Sequence, residues 1–215
     1  MNCSIKAPGA AEPFHVDTVG GGTIWYHVYS TETHPTDAFT FAKGWGDTRF
    51  APIMDVAGVP VHTYYAASEP DVAYMESVLH DTALSPPGVF EVATLVHYHL
   101  ATVRLPTIEV VSFHTPYLPA LELTRVELVD SPAACYPETR PWARAAFQQC
   151  AGAQAVGYGS RRHDRGRCLM LFGQRMPNDP ILLQPFELLA DEPLAIGTRR
   201  AEVLRLIRSL GVREI

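Results

Sequence analysis

The alternation of apolar and polar residues divides this chain into short elements of two kinds. After Gly20-Gly21-Gly22, the run Thr23-Ile24-Trp25-Tyr26-His27-Val28-Tyr29 is β-branched and aromatic, the composition that suits a pleated, half-buried surface, and it predicts a strand. Residues 31–60 hold turn formers (Pro35, Gly44, Gly46, Pro52, Gly58) and little periodicity, which predicts a long loop around Arg49-Phe50. Long loops in compact domains usually carry function. Val61 to Ala66 reads as a buried strand. Ser68 then offers an N-cap, Pro70 suits a first turn, Asp71 completes a capping-box pattern, and Val72, Met75 and Leu79 recur at helical spacing.

Thr82 to Gly88 breaks that helix. Val89 to Leu105 alternates often enough for one long strand or two, and Thr107 to Phe113 for another. Pro141 to Ala151 predicts a helix, Ala155 to Tyr158 and Cys168 to Phe172 predict strands, and Thr198 to Leu210 an amphipathic helix. Strands and helices are interspersed without a regular βαβ rhythm. The expected fold class is therefore α+β, a single domain with a mixed or antiparallel β core flanked by helices. Residues 1–19, small and polar with Pro8 and Pro13, read as a loosely attached N-terminal arm, and 20–215 as the domain.

Composition narrows the function classes. A 47% hydrophobic and 19% charged chain of 215 residues suits one soluble globular domain. No apolar run approaches the ~20 residues that span a bilayer, and the start shows no secretory pattern, so a cytoplasmic location is expected, without membrane. Cys3, Cys135, Cys150 and Cys168 form neither a CxxC pair nor a dense framework and read as reduced thiols. A net charge of −6 argues against direct nucleic-acid binding, which rests on phosphate neutralisation. The cluster Arg161, Arg162, Arg165 and Arg167 suits a small anionic ligand better than a polymer, and the arginines near the C-terminus read as a solvated face.

The familiar phosphate-cradle, serine-nucleophile and zinc-protease motifs are absent from the sequence. His97 and His99 lie two apart, where one strand face would hold both, with His80 and His114 as further candidates. One HxH supplies two ligands where a metal site needs three or four, so no metal is expected. Glu76 is more informative. Its neighbours at helical spacing are Val72 and Leu79, so it borders the apolar stripe. A partly desolvated carboxylate needs a compensating partner, either an arginine in a salt bridge or a ligand.

Four ordered segments resemble the RES domain, the toxin component of RES–Xre toxin–antitoxin pairs: IWYHVYS (24–30), DTRFAP (47–52), TYYAASEPDVAYME (63–76) and AVGYGSRRHD (155–164). YPETRPWARA (136–145) resembles a further stretch of that family. The resemblance implies a fold related to ADP-ribosyltransferases and a pocket for NAD, with no cofactor beyond NAD as substrate. It maps the family's second arginine onto Arg49, its tyrosine onto Tyr64, its glutamate onto Glu76 and its serine onto Ser160. The usual first-strand arginine is here His27, in Tyr26-His27-Val28. The diphtheria-toxin group of ADP-ribosyltransferases uses a His–Tyr–Glu set, so the exchange is chemically compatible with activity, although a neutral imidazole is no bidentate phosphate clamp.

On this resemblance the expected catalytic residues are Glu76, Tyr64 and His27. Glu76 would face the cation developing on the ribose, and Tyr64 would stack on nicotinamide. Arg49, Ser160, Tyr26, Arg161 and Arg162 would hold the dinucleotide. Taken singly, Tyr64 as core filling, Arg49 as a loop-pinning ion pair and Ser160 as a turn residue are each sufficient explanations. The reaction implied is cleavage of the nicotinamide–ribose bond with phosphate as acceptor, with transfer to protein or hydrolysis as alternatives. A catalytically weak module that binds nucleotide or antitoxin is a reading of another class. The implied partner is a Xre-type helix-turn-helix antitoxin, and the resemblance also admits a homodimer within such a complex.

Overall fold

A computed structural model describes residues 3–32, 34, 36–176 and 185–215; Pro35, among the expected turn formers, lies outside them. In chain order the strands are β1 (Val16–Val19), β2 (Ile24–Ser30), β3 (Thr63–Ala67), β4 (Val89–Phe90), β5 (Tyr98–Arg104), β6 (Ile108–Ser112), β7 (Ala155–Gly159), β8 (Arg167–Phe172), β9 (Glu187–Pro193) and β10 (Arg213–Glu214). The α-helices are α1 (Pro70–Met75), α2 (Arg125–Leu128), α3 (Tyr136–Gln149) and α4 (Gly197–Ser209). Eight strands form one sheet in the order β1-β6-β7-β8-β3-β2-β5-β9, while β4 and β10 pair separately. Every neighbouring pair in the large sheet is antiparallel except β6–β7. The fold is α+β.

Strand alternation gives the sheet two apolar faces. Val72, Phe113, Trp142, Met170 and Ile207 share one core, where α1, α3 and α4 pack. Trp25, Tyr29, Tyr64, Leu169 and Leu171 point the other way and are covered by loop residues such as Ala38, Met176 and Phe186. Helices thus flank one face.

The local predictions fail where a tertiary partner intervenes. Ser68 does not cap α1: its hydroxyl accepts the Arg167 amide at 3.1 Å, and Glu69 occupies the cap position. α1 stops at Met75, with Glu76 as its C-cap, because Leu79 turns back to bond the Tyr74 carbonyl and is fully buried. The expected strand over 89–105 is broken by a 3₁₀ turn, Val92–His97, before β5. The N-terminal arm is tied down rather than loose. Val16–Val19 form an edge strand on β6, Phe14 packs against Trp142, and the Trp142 indole donates to the Lys6 carbonyl at 2.7 Å. Cys3 and Cys135 are joined by a disulfide, which corrects the reduced-thiol reading for that pair; Cys150 and Cys168 are unbonded. The spacing of 132 residues hid the pair, since only folding brings the arm against the start of α3.

Two features shape the space between α1 and the sheet. The first is the loop joining β7 to β8, closed by Ser160 N–H on the Gly166 carbonyl at 2.8 Å. It rests on α1 at Gly166, where a Cβ would come within 2.6 Å of a Val72 methyl. The second is a parting of strands. β2 follows β5 from Ile24↔Arg104 to Ser30↔Tyr98 but meets β3 at Tyr26↔Ala67. Beyond that pair the His27 imidazole bridges the gap, its Nδ1–H donating to the Tyr65 carbonyl at 2.6 Å, with its ring stacked 3.9 Å from that of Tyr64. Burial lowers the His27 pKa from 6.5 to about 4, so the ring is neutral near neutral pH.

Two outcomes follow from this packing. Gly166→Ala should cost about 1–3 kcal/mol in urea unfolding, because the added methyl overpacks against a fully buried Val72. The unfolded chain protonates His27 below about pH 6.5, whereas the folded chain resists until about pH 4, so stability falls on acidification through that window. The loss of unfolding free energy between about pH 7 and pH 5 should be smaller in His27→Phe than in the parent by roughly 1–2 kcal/mol, measured by denaturation at both pH values.

Candidate active site

Where β2 and β3 part, a cleft of about 390 Å³ opens between the sheet and the segment following α1. Tyr26, His27 and Val28 of β2 and Tyr65, Ala66 and Ala67 of β3 form one wall. Asp47, Thr48 and Arg49 of the long loop, Ala73 of α1, Glu76, Ser77, His80 and Asp81 after it, Tyr136 at the start of α3, and Tyr158 and Cys168 enclose the rest.

Glu76 reaches this cleft because α1 ends there. The helix is fixed by four successive buried residues, Val72 to Met75. It is also held by bonds to α4: the Tyr74 hydroxyl donates to Glu202 at 2.8 Å, and Asp71 pairs with Arg205 at 3.0 Å. One carboxylate oxygen of Glu76, Oε1, accepts three donors: the Ser160 hydroxyl at 2.5 Å and the backbone N–H groups of Arg161 and Arg162 at 2.9 and 3.3 Å. Ser160 is itself locked, its Oγ accepting the Arg162 and His163 amides at 3.1 and 2.9 Å and its carbonyl accepting Arg125 at 2.7 Å. Among the described residues no hydrogen bond reaches Oε2, so the carboxylate is oriented through one oxygen and keeps the other for whatever enters the cleft.

Arg49 supplies the opposite charge. It is buried, with NH1 donating to the Ser131 carbonyl and hydroxyl at 2.9 and 2.8 Å and the guanidinium 5.0 Å from the Tyr136 ring centroid. Burial lowers its pKa, an effect opposed by Tyr136, Tyr158 and Glu76. No carboxylate lies within ion-pair distance of it among the described residues, so the expected loop-pinning salt bridge is replaced by neutral oxygens. A cation held this way retains attraction for an incoming anion.

The structure brings Tyr26, Arg49 and Glu76 to one cleft; His27 borders it, but its ring stacks on those of Tyr64 and Tyr29 toward the opposite face of the sheet. Tyr64 is a correction. Its side chain lies on the far face of the sheet, with the hydroxyl donating to the Ala38 carbonyl at 3.0 Å. Adjacent strand residues face opposite ways, so the ring in the cleft belongs to Tyr65, whose hydroxyl bonds Thr48 Oγ1 at 2.7 Å. Ser160 is 1% exposed and does not line the cleft; it acts behind Glu76 as a positioning residue. The Arg161 and Arg162 side chains also stay outside, donating to the carbonyls of Ser131 and Thr82 at 3.4 and 2.6 Å, while their backbone amides hold Glu76. Tyr65, Thr48 and Tyr136 were missed as site residues, although each lies inside a segment that carried the resemblance. His80, His97 and His99 pair with Asp81, Glu32 and Asp191 respectively rather than converging. No group of three or more His, Cys, Asp or Glu suited to a metal occurs among the described residues.

Comparison with known proteins follows the same outline. A chain of the crystal structure of the M. tuberculosis MbcT–MbcA toxin–antitoxin complex superposes with a TM-score of 0.60 at 16% sequence identity, covering 88% of this chain and 91% of that one. At that identity the likeness is one of fold. No curated protein matches the sequence. The family model described as the RES domain matches residues 24–191, which include both parted strands, Arg49, Glu76 and Ser160, and the chain therefore belongs to the RES domain family.

Proposed function

We propose that this protein is the toxin of a toxin–antitoxin pair and consumes NAD by cleaving its nicotinamide–ribose bond, with phosphate as the favoured acceptor. The observation that carries the reading is the Glu76 carboxylate, held through Oε1 by three donors at the wall of a cleft that also presents Arg49. Family membership supports the substrate class, and the likeness in fold to a chain of a toxin–antitoxin complex supports the biological setting.

In this reading the bond between ribose C1 and the nicotinamide nitrogen breaks with its electron pair leaving on nicotinamide, and positive charge grows on the ribose. A fixed carboxylate gains attraction as that charge develops without having to reorganise, the electrostatic effect that usually dominates catalysis. A phosphate oxygen then bonds C1, giving nicotinamide and ADP-ribose 1″-phosphate. The Arg49 guanidinium suits the substrate's phosphate, and the Tyr65 ring offers nicotinamide a face. Transfer to a protein side chain or to water needs the same stabilised cation and differs in the acceptor. Binding without appreciable turnover is a separate reading, favoured by His27, whose neutral, internally bonded imidazole supplies no cation at the position where the family pattern has arginine. A Xre-type helix-turn-helix antitoxin is the proposed partner, shielding the cleft. The proposed site of action is the cytoplasm, where NAD is abundant; among the described residues no helix is long and apolar enough to cross a membrane.

Purified protein incubated with NAD should release nicotinamide, and mass spectrometry should find ADP-ribose 1″-phosphate when phosphate is present; absence of nicotinamide release overturns the reading. Glu76→Gln should lower kcat by about 10²–10³-fold while remaining folded by circular dichroism. Ser160→Ala, which removes one of the donors to Oε1, should lower kcat by roughly tenfold with KM for NAD little changed, the signature of an interaction that matters in the transition state. Tyr64→Phe should cost only about 0.5–1.5 kcal/mol of stability and keep activity, whereas removal of the Tyr65 ring should raise KM.

A further inference from the structure

A second concavity lies on the face of the sheet turned away from α1. Phe41 and Phe186 cover Tyr64 on that face but leave its β1-β6-β7-β8 end open, where a cavity of about 360 Å³ forms. Register sets Ser112 of β6 beside Gly157 of β7, Gly157 beside Leu169 of β8, and Gly159 beside Arg167, so these residues share the face of Leu169. Arg125 lies over the same face, since a Cβ on Gly159 would come within 2.5 Å of its Nη1. Several polar groups here lack partners. Ser112 is 1% exposed, lines the cavity, and its hydroxyl makes no hydrogen bond. Buried hydroxyls are ordinarily bonded, and one left free on a cavity wall is explained by an acceptor that enters the cavity. The His114 ring and the Arg167 guanidinium line the same wall and make no hydrogen bond or ion pair among the described residues. Burial first, and then the charge of Arg167, lower the His114 pKa, so the ring is neutral near neutral pH and has one N–H to give. Arg125 uses Nε for Asp130 and Nη2 for the Ser160 carbonyl, which leaves Nη1. The carboxylate on the wall, Asp17, is engaged with His15 at 3.0 Å.

We propose that this cavity is a second ligand site, built for the phosphate group of a small molecule. A guanidinium fork matches two phosphate oxygens, and the Ser112 hydroxyl and His114 ring supply further donors around it. The Trp25 and Tyr117 rings on the same wall offer apolar faces, and the volume falls within the range of about 300–1,000 Å³ typical of small-molecule sites, so there is room for an organic part beyond the phosphate. The site stands apart from the NAD-cleaving reading, because it opens on the other face of the sheet. It is nevertheless adjacent to the loop that grips Glu76: Gly159 and Arg167 flank that loop, and Arg125 holds its Ser160 carbonyl.

The test titrates inorganic phosphate, and separately AMP, into the isotope-labelled full chain and follows the backbone amide resonances. Saturable shifts at Ser112, His114, Gly157, Gly159 and Arg167 are expected, with a Kd of about 1 mM or below for at least one probe. Tighter binding of AMP identifies an organic phosphate as the ligand class, equal or tighter binding of inorganic phosphate identifies the free ion, and either result supports the site. Arg167→Gln should raise that Kd at least about tenfold, while any shifts at Arg49 and Tyr65 in the cleft keep their concentration dependence. Ser112→Ala removes a hydroxyl that bonds nothing in the protein, so it should leave the urea midpoint unchanged and raise the Kd by about three- to tenfold. Shifts confined to the cleft, or no saturable shift from either probe, overturn the proposal. So does an unchanged Kd in Arg167→Gln, with Ser112→Ala deciding should the arginine variant fail to fold.

Discussion

Everything at the candidate site depends on one carboxylate oxygen with three donors. Glu76 sits at the end of a helix too short to orient it alone, on a side chain with several rotatable bonds. The Ser160 hydroxyl and the amides of Arg161 and Arg162 remove that freedom by gripping Oε1. Those amides belong to a loop whose shape is set by Ser160 Oγ accepting from residues 162 and 163, so the loop and the carboxylate order each other. Removing the serine would loosen both at once, because hydrogen bonds that share an atom are coupled.

The same economy appears in the cleft. It exists because β2 and β3 meet at one pair and then separate, with a neutral imidazole spanning the gap. A charged side chain wedged there would be costly to bury, and burial holds His27 in its neutral form. His27 is thereby a structural group, and Arg49 is the buried cationic side chain on the wall of the cleft. Its charge is kept available because its partners are the carbonyl and hydroxyl of Ser131 and the face of Tyr136 rather than a carboxylate.

Much of this was legible in the chain. Alternation located β2, β3 and β6 to β8, helical spacing located α4, and the ordered segments pointed to Arg49 and Glu76 as members of one site. Errors arose where a distant residue overruled a local preference. Ser68 has the chemistry of an N-cap, yet Arg167, brought alongside by β8, takes its hydroxyl. Val89 to Leu105 alternates like a strand, but a 3₁₀ turn interrupts it.

The sequence by itself determined the α+β class, the family and the residue types at the site, because these follow from composition, period and motif order. Only the tertiary structure decided which of two adjacent tyrosines faces the cleft, that Ser160 stands behind the carboxylate rather than beside the ligand, and that Cys3 meets Cys135. The reason is common to all three. A one-residue step along a strand reverses the face a side chain presents, and contacts across 84 or 132 residues are fixed by how elements pack, information that no local stretch of chain contains.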